Sequence, residues 1–230
     1  MVKENYNNVK EQVKIAAAGC GRNPDDITLI AVSKTKPLSD IEELINIGVN
    51  DFGENKVQEL CDKYENVSKP VNFHLIGHLQ TNKVKYVIDK AILIHSVDSL
   101  KLAKEIQKEA SKRQLISEIL IEVNVAEEES KFGLSVNEVI PFIEEISSFS
   151  NIHINGLMTI APFVEDPEDN RKYFRTLKQL SLDIISKNID NVNMNVLSMG
   201  MTNDYKVAIE EGATIVRVGT AIFGTRNYNV

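Results

Sequence analysis

The chain has 230 residues, 43% of them hydrophobic and 26% charged, and its 26 Lys+Arg against 33 Asp+Glu give a net charge of -7 at pH 7. That balance argues against phosphate-backbone binding as the main task, so nucleic acid is not an expected partner. No apolar run approaches the ~18 residues a membrane span needs, while the length suits one domain of barrel size with roughly 70–75% of its unfolded surface buried.

The opening segment places Tyr6, Val9, Val13 and Ala16 or Ala17 at helical spacing, and Gly19, Gly21 and Pro24 stop it. Runs with strand character follow near 27–33, 49–53, 72–77 and 92–97, and again near 118–125, 153–160, 195–200 and 214–219. Between them Ser39 and Glu42 form a candidate capping box before the stripe Ile41, Leu44, Ile45, and Gly48 follows that helix. Leu100, Ala103, Ile106 and Ala110 make a second stripe. Ser135 with Glu138 repeats the capping-box pattern, with Pro141 deep inside the helix it opens, and Gly212 closes the helix before the last strand. Strands alternating with helices predict parallel βα units, and their number predicts a closed (β/α)8 TIM-type barrel with an additional N-terminal helix, one domain over 1–230. An open doubly wound sheet would carry a Gly-rich dinucleotide turn early. Gly19-Cys20-Gly21 leads instead to Pro24 and a strand, so the barrel is preferred.

In a barrel the active residues sit at the carboxyl ends of the strands, and phosphate is often held after strands seven and eight. Here the first strand ends in Ser33-Lys34-Thr35-Lys36-Pro37 and the seventh in Ser198-Met199-Gly200-Met201-Thr202. The eighth ends in the segment Arg217 to Gly224. The last two have the composition of an anion cradle, with glycines that let backbone N–H groups approach and hydroxyls that donate. Gly219 and Gly224 have P-loop spacing, but Thr225-Arg226 stands in place of the Lys-Ser/Thr pair, so a nucleotide site is not expected. By strand parity Lys34 and Lys36 share the face of Ile30 and Val32. A lysine on the barrel-lining face, close to Lys36 and Arg217, has a lowered pKa and a larger nucleophilic fraction. Facing an anion cradle, it suggests a Schiff base with a phosphorylated aldehyde; solvated strand-end lysines are the plain alternative.

The motifs LIAVSKTKP, FGENKVQE, HLIGHLQTNK, EESKFGL, GLMTI, LSMGMTNDY and VRVGTAIFG follow one another from residue 29 to 224. With them the chain resembles the pyridoxal phosphate homeostasis protein family, single-domain relatives of the alanine racemase N-terminal barrel. The resemblance covers essentially the whole chain. It implies that Lys34 rather than Lys36 forms an imine with pyridoxal 5'-phosphate, a choice parity leaves open. It further implies phosphate contacts from Ser198, Met199, Gly200, Gly219 and Thr220, an arginine facing the pyridine nitrogen in Arg217, Asn55 near the ring, and Met158 packed in the same pocket. A cation at the ring nitrogen disfavours the protonated ring and weakens the electron sink. Its plain alternative is a barrel-interior arginine paired with Glu54 or Glu122.

The expected role is therefore a carrier in intracellular vitamin B6 homeostasis that buffers or delivers the cofactor, with pyridoxal phosphate-dependent apo-enzymes as candidate recipients and Lys36 as a candidate second amine for release. A low-activity amino-acid racemase using Lys34 is the alternative, and an aldolase-like enzyme with a Schiff-base lysine is a third reading. Alanine racemases add a β domain that supplies a second base; this chain ends at Val230 directly after its eighth unit, and its candidate stand-ins, Tyr205 and Tyr228, are expected in surface or packing roles instead. A cytoplasmic protein is expected, since Lys10, Glu11 and Lys14 interrupt any signal-like apolar stretch and Cys20 and Cys61 are too few for a disulfide scaffold, and with no exposed apolar stripe to demand a dimer a monomer is expected over an obligate oligomer. His74 and His78 have metal-ligand spacing only on a helix, and their segment reads as a strand, so no metal site is expected. His95 and His153 are expected to hydrogen-bond within the fold.

Overall fold

The computed structural model of the protein describes residues 1–128 and 131–224. Eight parallel strands close in sequence order: β1 (Thr28–Val32), β2 (Asp51–Glu54), β3 (Asn72–Leu75), β4 (Ala91–Val97), β5 (Ser117–Glu122), β6 (Ile152–Met158), β7 (Val192–Ser198) and β8 (Ile215–Val218). Closure comes from β1 lying beside β8, with Thr28 opposite Ile215 and Ile30 opposite Arg217. The expected barrel is the observed one, and every strand-like run overlaps a strand.

Helix α1 (Val2–Gly19) buries Tyr6, Val9, Val13 and Ala17, the stripe that the spacing predicts. Around the barrel follow α2 (Leu38–Ile45), α3 (Val57–Asn66), α4 (Val84–Val87), α5 (Leu100–Lys112), α6 (Val136–Ile146), α7 (Arg171–Ser186), α8 (Tyr205–Glu210) and the single turn α9 (Thr220–Phe223). Helix α1 packs against α2, α8 and α9 and so covers the β8–β1 seam, where α9 is too short to do so. Asn5 Nδ2 donates to Ile222 O at 3.0 Å, and Arg22 donates to Ile209 O and Ala213 O at 2.7 and 2.8 Å, a cation at the end of α8 where carbonyls are unpaired. Among the described residues no helix is long and apolar enough to cross a membrane.

Two capping boxes were expected and one forms. Ser135 N–H and Oγ both donate to the Glu138 carboxylate, at 2.9 and 2.6 Å. Pro141 sits in that helix on an exposed position, where the carbonyl it leaves unbonded can meet water. Ser39 and Glu42 form no box. Pro37, with ψ 157°, is the residue before α2, so the helix starts earlier than expected, and Ser68 donates its N–H (2.7 Å) and its hydroxyl to Glu42.

Alternation along each strand separates two apolar regions. Leu29, Ala31, Phe52 and Phe73 belong to the large core between barrel and helices. Ile30, Val32, Ile76, Leu93, Leu120, Met158 and Ile215 form the smaller barrel interior. The same parity turns His74, His95, Glu122, Ser198 and Arg217 inward, each two positions from an interior apolar residue, and all five are buried.

Candidate functional site

The carboxyl ends of β7, β8 and β1 bring the main candidates together. Met158 lies opposite both Glu122 and Ser198 in the strand register, and Ser198 lies opposite Ile215. Gly200 has φ +92°, and a Cβ there would stand 2.6 Å from Ala208 Cβ and 2.9 Å from Tyr205 Cα, so only glycine lets the β7 loop lie against α8. Asp204 fixes that loop by accepting the Met201 N–H at 2.7 Å and the Asn170 amide at 2.8 Å. Gly219 passes within van der Waals reach of Val32 and starts α9, whose first-turn amides at Thr220 and Ala221 have no helical acceptor.

Arg217 is held as a rigid donor. Its Nη1 donates to Ser198 O at 2.8 Å and to Ser198 Oγ at 2.5 Å, and its Nη2 donates to Thr159 O at 2.8 Å. These bonds use three of the five N–H donors of the guanidinium. Burial pulls its pKa down to about 10, against the opposing charges of Glu122 and Asp204, so it remains a cation at neutral pH. Neither carboxylate weighed as its partner forms an ion pair with it: Glu54 is bound by Lys63, and Glu122 acts on it through space. Glu122 is itself pushed up to about 7, by burial first and by the Asp98 charge second, and its Oε2 is buried without a hydrogen-bond partner.

Lys34 lies half-buried in the turn after β1. Lys36 N–H donates to Ser33 O at 3.0 Å and closes that turn, and Thr35 takes φ +62°, a strained value for a β-branched residue. The strain is held from behind. Glu59 Oε1 accepts the Thr35 N–H at 2.5 Å, and Lys63 Nζ donates to Ser33 O (2.7 Å), Glu54 Oε1 (2.7 Å) and Glu59 Oε1 (2.6 Å). Ser33 Oγ adds a bond of 2.6 Å to Glu54. Burial raises the Glu54 pKa, and the Lys63 charge and these bonds oppose the rise.

Asn55 follows β2 and is half-buried; Gly77 lies so close that a Cβ on it would stand 2.6 Å from Asn55 O. Met158 and Met199 are fully buried, and Thr220 is exposed. Lys36 departs from expectation: its Nζ donates to Phe223 O at 2.9 Å and Gly224 O at 3.5 Å, because the carbonyl end of α9 is a stronger attraction for a cation than an apolar barrel mouth. Tyr205 is buried beside Gly200, and burial raises its phenol pKa. Tyr228, Val230 and Thr225-Arg226 lie outside the described residues, as do Glu129 and Ser130 of the EESKFGL motif.

Sequence reasoning missed three groups. Lys63 and Glu59 lie one helical turn apart on α3, yet their long-range partner is the Lys34 turn. Asp204 was read only as part of a motif. His95 bonds within the fold as expected, but its partners are new: it lies between His74 and Ser198 inside the barrel, at 3.1 and 2.9 Å. Strand parity would have found it, since Leu93 two residues earlier also faces inward. His153 does bond within the fold, to Glu118 and Asn193.

The arrangement offers a lysine in a strained turn, a fixed guanidinium with donors only, and a glycine-lined edge between the β7 and β8 loops. It can hold an anion at one end of a flat ligand and a lone-pair acceptor in its middle, with an amine in reach of a carbonyl.

The family model described as alanine racemase, N-terminal domain, matches residues 5–227. A pyridoxal phosphate homeostasis protein of Aquifex aeolicus is 46% identical over 226 residues, covering 98% of each chain. PipY of Synechococcus elongatus PCC7942, solved with pyridoxal phosphate bound, superposes with a TM-score of 0.85 at 28% identity, covering 97% of this chain and all of that one. An alanine racemase of Clostridium difficile matches in fold alone, with a TM-score of 0.77 at 16% identity over 99% of this chain and 57% of that chain.

Proposed function

This chain belongs to the pyridoxal phosphate homeostasis protein family, within the alanine racemase N-terminal domain group, and we propose that it binds pyridoxal 5'-phosphate on Lys34 and buffers or delivers it in vitamin B6 homeostasis. The single observation that carries the reading is the fixed, donor-only Arg217 at the β8 end, between the glycines of the β7 and β8 loops. When bound, pyridoxal phosphate supplies an aldehyde that condenses reversibly with a primary amine and a ring that can draw off electron density. Gly200, Gly219 and Thr220 take the phosphate through backbone amides, next to Met199, whose own N–H is held by Ile215 O at 3.1 Å, and Ser198, whose hydroxyl faces His95 and Arg217. Arg217 donates to the ring nitrogen, and Asn55 and Met158 bound the ring.

Arg217 sets the electronics of the site. A guanidinium cannot accept a proton, so the ring nitrogen facing it stays unprotonated and the electron sink stays weak. Such a site suits either a racemase or a protein that only holds the reactive aldehyde. The proposal takes residues 1–230 as one cofactor-binding domain acting as a cytoplasmic monomer, with pyridoxal phosphate-dependent apo-enzymes as recipients.

The test is spectroscopic. Purified protein mixed with pyridoxal phosphate is expected to turn yellow, with an absorption band that borohydride removes and that Lys34→Ala lacks. A protein that takes up no cofactor overturns the reading. Incubation with alanine in heavy water separates the carrier from a racemase: steady α-deuteration that disappears in Lys34→Ala would favour the enzyme.

A further inference from the structure

A continuous polar chain runs through the barrel interior, and the reading of Lys34 and Arg217 does not use it. Asp51, at the start of β2 and partly exposed, accepts from Asn72 Nδ2 at 3.0 Å, and its Oδ1 lies 3.2 Å from His74 Nε2. His74 Nδ1 lies 3.1 Å from His95 Nε2, and His95 Nδ1 lies 2.9 Å from Ser198 Oγ. Ser198 Oγ is in turn the acceptor of Arg217 Nη1 at 2.5 Å. The links tie the amino end of one strand to the arginine near the carboxyl end of another.

With both imidazoles neutral, the two ends allow one direction only. Arg217 can only donate. Burial raises the Asp51 pKa, but the bonds from His74 and Asn72 outweigh it and hold the group below its ordinary value, so it is an acceptor-only carboxylate. His74 must therefore present its proton on Nε2 toward Asp51, which leaves Nδ1 to accept. His95 then carries its proton on Nε2 and accepts at Nδ1 from the Ser198 hydroxyl. That hydroxyl proton points away from Arg217, and both oxygens of Ser198 are left to receive the guanidinium. Burial, and then the nearby Arg217 charge, keep His95 neutral, as this pattern requires. The charged groups acting on Arg217 are Glu122 and Asp204, and Asp51 at the other end acts on the neutral phenol of Tyr6.

We propose that His74 and His95 are positioning residues of the site: with Asp51 they form a one-way hydrogen-bond chain that sets the Ser198 hydroxyl and, through it, the orientation of the Arg217 guanidinium. The proposal deepens the reading of Arg217 as the group facing the cofactor ring and rests on it.

The direction can be read without cofactor. Side-chain 15N spectra of the cofactor-free protein near pH 7.5 are expected to show both His74 and His95 protonated on Nε2, with His95 Nδ1 unprotonated. Asp51→Asn removes the acceptor-only end and is expected to mix the His95 tautomers. His95→Asn is expected to merge the separate Arg217 Nη signals that a fixed guanidinium gives. A proton on His95 Nδ1 in the parent protein, or Arg217 signals unchanged in His95→Asn, overturns the proposal. In loaded protein the pH midpoint of the bound cofactor's absorption band is expected to shift by roughly half a unit or more in Asp51→Asn, while His153→Asn leaves it in place. An unmoved midpoint reduces the chain to packing and defeats the positioning role. Failure to take up cofactor defeats the reading of the site, and the Arg217 signals of the free protein then decide the chain by themselves.

Discussion

Lys63 Nζ lies 2.7 Å from Glu54 Oε1, with the lysine side chain 8% and the carboxylate 0% exposed. The pair is buried behind the turn that carries Lys34, and the same ammonium binds Ser33 O. Removing one partner leaves an uncompensated charge in the interior, which costs about 3–5 kcal/mol. Lys63→Met is expected to lower stability by that order in urea unfolding. The double variant Lys63→Met/Glu54→Gln is expected to recover a large part of it, because no net charge is then left behind. A single variant as stable as the parent would show that the pair supports nothing.

Glu122 gives the stability a pH dependence with a definite sign. Burial pushes its folded pKa up to about 7 from the ordinary 4.5, so between those values the native state binds more protons than the unfolded chain. The contribution is fully present below pH 4.5 and is lost as pH rises through 7. A rise of this size corresponds to about 3 kcal/mol at alkaline pH. Glu122→Gln is expected to match the parent near pH 4.5 and to exceed it by an amount of that order at pH 8. Denaturation curves of both proteins across this range check the point; a constant offset between them would contradict it.

The parts legible in sequence were those written locally. The Tyr6-Val9-Val13-Ala17 stripe, the strand-like runs and the Ser135–Glu138 cap depend on neighbours within one or two turns, and each is found as expected. The Ser39 box failed because Glu42 was captured by Ser68, a partner 26 residues away that periodicity cannot reveal. Lys63 likewise read as an ordinary helix residue until closure of β1 against β2 put Ser33 and Glu54 beside it. Lys34 and Arg217 could be named because strand-end position is a rule of the barrel. The partners of Arg217 could not, since Ser198 and Thr159 come from the ends of β7 and β6 and meet it only across the closed interior.

Gly77 links packing to the site. A Cβ there would stand 2.6, 2.7 and 2.9 Å from O, Cα and Cβ of Asn55, so Gly77→Ala must push the Asn55 backbone aside. Overpacking of this kind costs about 1–3 kcal/mol. The expected result is a lower unfolding midpoint together with weaker uptake of pyridoxal phosphate. Asn55→Ala, which leaves the backbone in place, is expected to weaken uptake with little change in stability. Equal loss of stability in both variants would place Asn55 in the fold and not at the ring.

Lys36 separates two accounts of cofactor release by the sign of one rate. Its Nζ donates to Phe223 O at 2.9 Å, while Asn5 donates to Ile222 O at 3.0 Å, so the carbonyl end of α9 is tied down on two sides. The other end of α9 is Gly219, where the phosphate is proposed to bind. A hydrogen bond from a charged group contributes about 1.5–3 kcal/mol, and 1.4 kcal/mol is about tenfold in affinity. If Lys36 acts by fixing α9, Lys36→Ala is expected to loosen the cradle and weaken retention by about tenfold. Release of pyridoxal phosphate then becomes faster, and Lys36→Arg, which keeps a cation at the carbonyls, restores most of the loss. If Lys36 were instead the second amine that takes the cofactor from Lys34, its loss would slow release and arginine would not rescue it. Stopped-flow release into excess apo-enzyme, measured for the parent and both variants, distinguishes the two, and slower release in Lys36→Ala would overturn the structural role.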